Sequence, residues 1–294
     1  MAFALYGLGN VAFAGHDGSP LGLALLRYSI GLLLLSVFVS RSVPGLLAAM
    51  RTPVVWLLAV TQMLANVAFV FAAKETSLVV FVLFEALVPA IVAASAPLLG
   101  YRRLTRAEAL AGAAAVAGGA GVLYFGESST DGNVPGLSLL GFSLLLGGVI
   151  AGAAATLTAP AAARIARPEH LLSVFCLTGT AFSGILLLSG VEFRASESTL
   201  YSAVFLAVIA GGIAKLMVWW AAARMPPQQT ALLKNVSVAS ALLLGAIILG
   251  EVPTSGQLVA CTVLLLAVAF LVRKSPDRKE PPLSRGFLWS VGRR

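Results

Sequence analysis

The sequence is short of everything a soluble surface is made from. Charged residues make up only 11% of its 294 positions, against 59% hydrophobic ones, and mean hydropathy is +0.95. A globule of that composition would leave far too much apolar surface in water. Its solvent is therefore lipid. Cysteine is scarce too: Cys176 and Cys261 both fall in apolar stretches, which excludes a disulfide framework and a thiolate metal site and leaves two small apolar side chains. Only Glu85, among the twelve acids, lies well inside an apolar stretch. No Cys-His pair, no paired carboxylates and no acidic metal cluster can be drawn inside the apolar blocks, so an enzyme is not expected, nor a metal or other cofactor.

What is abundant is apolar sequence in blocks of about 20 residues, the length that crosses ~30 Å of hydrocarbon as a helix. Ten are drawn, near 1–15, 20–40, 53–73, 77–99, 106–125, 136–160, 169–190, 199–223, 228–250 and 255–272. The first is short, with no cationic lead and no small-residue cleavage site, so a signal peptide is not expected. Either that helix is tilted or partly inserted, or the true start lies upstream.

Basic residues mark the inner side of a membrane protein. With the N-terminus inside, the cytoplasmic segments hold Arg41, Arg51, Arg102, Arg103, Arg106, Arg164, Arg167, Arg224 and seven residues of the tail, 15 of the 20 basic residues. The outer segments hold only Lys74 and Arg194, beside seven acids such as Asp17, Glu192 and Glu197. Net charge +8 thus reports topology and calls for no nucleic-acid partner. Both termini are expected in the cytoplasm of a bacterium, the chain lying in its inner membrane. His16 and His170 fall in loops on opposite sides and are read as surface residues unable to share a metal. The tail, 273–294, is net +5 with three prolines and is expected to lie against anionic headgroups.

Shifted by 150 residues, Ala72-Ala73-Lys74 falls on Ala222-Ala223-Arg224 and Leu99-Gly100 on Leu249-Gly250. At 149, Thr105 to Glu108 falls on Thr254 to Gln257, each fitting a helix-starting Ser/Thr-x-x-Glu/Gln capping box. The expected fold is all-α and integral to the membrane: ten transmembrane helices as two inverted five-helix repeats, 1–125 and 126–272. An odd number of spans inverts the second repeat, and such architectures place a binding site at the repeat interface near the midplane. That is the logic of a transporter.

The chain resembles the EamA-type proteins of the drug/metabolite transporter superfamily, ten-helix proteins of two five-helix repeats. The resemblance rests on Tyr6-Gly7 with Asn10, Pro20 with Arg27, Pro89, Gly100 with Thr105 and Gly112, and Gly250-Glu251 with Thr254 and Gln257. It departs at Tyr101, where the family usually has Glu, at Cys261 opposite Gly112, and at Phe175 opposite Arg27. The resemblance implies a secondary transporter, commonly an exporter of amino acids, metabolites or toxic compounds. An integral membrane enzyme, or a non-transporting subunit of a lipid-handling assembly, is the alternative.

Most small and bent features read as packing: Gly148 and Gly152 as a helix–helix seam, Pro89, Pro97 and Pro160 as kinks. A charge at the bilayer centre costs ~2.5–3.5 kcal/mol or more on insertion scales, so Arg27, Glu85, Lys215 and Lys234 stand out. Measured from the drawn span centres, Arg27 and Glu85 lie towards the outside and the lysines towards the inside. Arg27 is then the natural partner of Glu85, with Asn66 at similar depth, and the lysines have no carboxylate nearby. The expected substrate-binding set is Asn10, Gln62, Asn66, Glu85, Lys215, Trp219, Lys234 and Asn235, the last the repeat mate of Glu85. Bland readings compete: the lysines snorkel, and Trp219 with Trp220 forms an interfacial belt. The expected partners are the bilayer and a small molecule with an anionic group, and a homodimer is an assembly left open.

Overall fold

The computed structural model describes residues 2–14, 17–76, 81, 84, 85, 87–99, 101 and 138–248, with isolated positions at 106, 109, 110, 113, 117, 255, 256, 258, 259, 262, 263 and 266. Every regular element among the described residues is helical. In chain order these are α1 (Ala2–Ala14), α2 (Pro20–Val39), α3 (Val43–Met50), α4 (Pro53–Glu75), α5 (Val88–Ser95), α6 (Leu139–Ile165), α7 (Pro168–Leu188), α8 (Glu197–Ala222), α9 (Pro227–Leu233) and α10 (Asn235–Ile248). Five of them, α2, α4, α6, α7 and α8, are long and apolar enough to cross a membrane. The fifth and tenth drawn spans, both Thr-led capping boxes, Gly100, Gly112, Glu251, Gln257, Cys261, His16, Asp131 and the basic tail lie outside the described residues.

Helix starts follow from local chemistry. Pro20, Pro53, Pro168 and Pro227 each open a helix, where the missing N–H costs nothing and φ is already helical. Ser19 caps α2 by accepting from Gly22 N at 3.1 Å, and Ser138 caps α6 by accepting from Gly141 N at 2.9 Å. Ser196 and Thr199 form a reciprocal capping box at α8, satisfying donors that the first turn cannot. At the far end of α7 the chain turns at Gly190, whose φ of +85° only glycine adopts without strain.

The buried and exposed faces are alike in chemistry. Leu23, Val88, Leu145 and Val174 are fully buried, while Leu33, Leu139, Leu188 and Ile247 are more than two-thirds exposed. Exposure of that kind on both faces of apolar helices suits lipid contact rather than water. The chain is a multi-pass membrane protein.

Packing is densest between α4 and α6, α2 and α7, and α1 and α10. Small residues permit it. A Cβ built on Gly148 would lie 2.7 Å from the Phe69 ring, and one on Gly7 would lie 2.8 Å from backbone atoms of α10. Close approach supplies dispersion contacts where lipid gives no hydrophobic drive, so the Gly148 seam is a packing seam as expected. Tyr101, at the position that departs from the family pattern, donates its hydroxyl to the Leu157 carbonyl of α6 at 2.8 Å.

Three features differ from expectation. The link between the second and third spans contains a further helix, α3. His170 is no loop residue: it sits in the first turn of α7, 4% exposed, with Nε2 3.2 Å from Ser42 Oγ and its ring beneath Gly45. A helix laid over the end of α7 buries it, and no local pattern announced that helix. The ninth span is interrupted at Lys234, between α9 and α10.

Candidate functional site

One cavity in the bundle interior collects polar side chains from α1, α2, α4, α6, α8, α9 and the residues about Glu85. Its volume is about 60 Å³, room for a few waters at ~10–15 Å³ each on this measure. Asn10, Gln62, Asn66, Glu85, Trp219 and Lys234, six of the eight expected site residues, line it, together with Arg27.

Glu85 is the hub. One carboxylate oxygen accepts from Asn10 Nδ2 at 2.7 Å and the other lies 3.4 Å from Lys234 Nζ. The carboxylate is thus held by α1 and by the break between α9 and α10. This corrects the expectation that Lys234 lacks a carboxylate and that Arg27 pairs with Glu85; Lys215 has no carboxylate partner among the described residues. Counting depth from span centres leaves out how far a lysine side chain reaches along its helix. The break is itself stabilised: Ser237 returns its N–H and its hydroxyl to the Lys234 carbonyl at 2.8 and 2.6 Å, satisfying an acceptor that an unbroken helix would have paired.

Arg27 has a different environment. Its NH2 donates to Asn66 Oδ1 at 3.2 Å, and Asn66 is oriented by donating to the Gln62 carbonyl at 2.6 Å. The guanidinium lies 5.3 Å from the Phe13 ring centroid and 5.1 Å from that of Tyr28, within cation–π range. NH1 finds no hydrogen-bond partner among the described residues. Gly211 lies beside the guanidinium: a Cβ there would stand 3.4 Å from Arg27, an ordinary contact, and 2.5 Å from the Leu206 carbonyl oxygen. Gly211 belongs to a π-helical stretch, Leu206–Ile213, inside α8, an irregularity that often marks functional positions in helices.

Lys215 is 1% exposed and does not line the cavity. Its ammonium stands 4.2 Å from the Phe175 centroid, 5.6 Å from Trp219 and 6.0 Å from Tyr6, with no hydrogen-bond partner for Nζ among the described residues. Two of those rings, Tyr6 and Trp219, are cavity wall. Lys215 therefore sits behind the wall, and a snorkelling side chain at the water interface is not what is found.

The tryptophans separate. Trp219 is buried against Phe175, ring centroids 6.1 Å apart, whereas Trp220 is 58% exposed with the Arg224 guanidinium 3.7 Å above it. Burial excludes Trp219 from an interfacial belt, and only Trp220 has the exposure such a belt requires. Asn235 opens α10, and its side chain lies outside the described residues. Sequence reasoning did not reach Tyr6, Thr156 and Thr230, also on the wall. A signal existed for the acid–lysine pair, since Lys234 adjoins the repeat mate of Glu85.

Residues 139–273 match the sequence profile of the EamA-like transporter family. No curated protein sequence matches the chain. A crystal structure of a protein of 18% identity superposes with a TM-score of 0.74 over 92% of this chain and 94% of the other. Likeness at that identity carries the fold, and it extends across both halves of the bundle.

Proposed function

We propose that this chain, of the EamA-like transporter family through residues 139–273, is a secondary transporter that exports a small metabolite, amino acid or drug-like compound across the inner membrane by alternating access. The observation that carries the reading is the cavity. Glu85 from the first half meets Lys234 from the second across it, so a movement of one half against the other remakes the site. A volume of about 60 Å³ is far below the ~300–1,000 Å³ of ligand pockets, which fits a closed state that opens to admit its substrate.

Two five-helix halves, 1–125 and 126–272, related by inversion, suit the packing. A shift of about 150 residues carries α1 onto α6, α2 onto α7, α4 onto α8 and α5 onto the ninth span. The contact of α4 with α6 then has its mate in α8 with α1, and the contact of α6 with α5 in α1 with α10, while α2 with α7 is its own mate; all occur. Cations outnumber acids around the cavity: Arg27, Lys215 and Lys234 against Glu85. This excess favours a substrate with an anionic group.

The test is flux. Purified protein in liposomes is screened with radiolabelled carboxylates, amino acids and neutral solutes, with and without an imposed proton gradient. Saturable movement of an intact anionic solute, reduced at least tenfold in Arg27→Gln and in Glu85→Gln/Lys234→Gln, is expected. Chemical conversion of the solute, or movement indifferent to all these variants, would overturn the reading.

A further inference from the structure

A second hollow, of about 690 Å³, lies on the flank of the bundle, and its wall is apolar but for the acid Glu169 of α7: Leu216, Met217, Val218 and Trp220 of α8, with Leu233 and Val236 from either side of the ninth-span break. Its relation to the central cavity is specific. Val218 lines both hollows. On α8 the neighbours Trp219 and Trp220 face the cavity and the flank hollow respectively, about 100° apart around the helix. At the break, Lys234 lines the cavity while Leu233 and Val236 line the flank. One side chain and one interrupted helix thus separate a polar, cationic compartment from an apolar one.

The two compartments suit the two ends of one molecule. In the closed state the cavity holds no metabolite body, yet it carries Arg27, whose NH1 has no partner among the described residues, and Lys234, whose counter-charge is shared with Asn10. Such groups take a carboxylate, bidentate at the guanidinium. The flank hollow falls in the range of ligand pockets, and its apolar wall takes hydrocarbon. Charge complementarity fixes which end goes where.

We infer that the flank hollow between α8 and the broken ninth span seats the apolar body of an amphiphilic carboxylate, whose charged end passes Val218 to reach Arg27 and Lys234. The inference rests on the transport reading of the central cavity and names its substrate class. The route is lateral, from the lipid, and the break at Lys234 is where the wall yields.

The test uses 11-bromoundecanoate and 11-bromoundecan-1-ol, which enter a bilayer but differ in the charged end. Bromine quenches nearby tryptophan. In protein reconstituted into zwitterionic nanodiscs, the acid should show saturable quenching above the linear background given by the alcohol. That saturable part should vanish in Trp220→Phe, an exposed position. Its half-saturation should rise at least fivefold in Val218→Phe, which narrows the passage, and in Glu85→Gln/Lys234→Gln, which removes both members of the ion pair together. Identical linear quenching by acid and alcohol, unchanged by Val218→Phe and by the double variant, would assign the hollow to ordinary lipid and overturn the inference. Its failure is separable from that of the transport reading. Solute flux that depends on Arg27 without acid binding at Trp220 removes the inference alone. Acid binding with these dependences, but no flux of any solute, removes transport and leaves the site.

Discussion

Glu85 illustrates how much a single buried carboxylate decides. It accepts from Asn10 and faces Lys234 while only 7% exposed, against 19% for the lysine side chain, so the carboxylate depends on these partners more than on water. Removing one partner of such a pair leaves an uncompensated buried charge and costs about 3–5 kcal/mol, whereas removing both is far milder. Glu85→Ala and Lys234→Ala should each lower the thermal unfolding midpoint in detergent sharply. Glu85→Gln/Lys234→Gln should recover most of the loss, and strictly additive single effects would show that the pair is not coupled. Arg27 is expected to behave otherwise. Asn66, a neutral group, is its one hydrogen-bond partner among the described residues, so Asn66→Ala should cost only the ~1–3 kcal/mol of a buried donor left unsatisfied, read from the unfolding midpoint, while shifting the half-saturation for an anionic solute. These residues were legible in sequence because a charge within an apolar span is costly and hence rare. Their pairing was not, since partners are chosen by depth and rotation, and by how far each side chain reaches along its helix.

Helices themselves were the most legible level, and their irregularities the least. The starts of α2, α4, α7 and α9 lie within a residue or two of those drawn from apolar block length, and each falls at a proline in the first helical position, a signal that acts through the local backbone. The π-helical stretch in α8 has no such signature: Leu206–Ile213 is apolar throughout and reads as ordinary helix, and its widened turn is fixed by what packs on it. For α3 the same is true, eight residues between two spans that settle over His170. Packing seams, by contrast, can be tested one residue apart. A Cβ on Gly148 would press into the Phe69 ring at 2.7 Å, while one on Gly147 meets nothing within 4 Å. Gly148→Ala should therefore destabilise by about 1–3 kcal/mol through overpacking between α4 and α6. Gly147→Ala should be neutral or stabilising, by up to ~1 kcal/mol from helix propensity. Unfolding in detergent followed by size-exclusion monodispersity separates the two, and equal effects would deny the seam its role.

For the whole molecule, the chain's two ends of packing agree with the alternation drawn from charge. At one end Asp17 accepts from Ser198 at 3.0 Å, Ser19 N donates to the Arg194 carbonyl at 2.9 Å, and Ser138 donates to Glu75 at 3.3 Å. At the other, Ser42 meets His170 and Arg167 pairs with Glu169. Loops expected outside thus touch one another, and so do loops expected inside. Which end faces the cytoplasm is a matter of the positive-inside bias, and we propose that it is the Arg51 and Arg167 end, with Asp17, Lys74, Glu192 and Glu197 outside. Two exposed positions free of cross-loop contacts suffice to test this, and buried Cys176 can be replaced by Ser together with Cys261. Glu192→Cys should react with an impermeant maleimide in intact cells. Arg167→Cys should react only after permeabilisation, because the barrier between the two positions is the full length of α7, 21 residues of apolar helix. At 1.5 Å per residue that helix spans the ~30 Å hydrocarbon core, so one reagent cannot reach both its ends from a single side. The reverse pattern would invert the orientation and the direction of export with it, whereas labelling of both in intact cells would mean that α7 does not cross the membrane and that the ten-span arrangement is wrong.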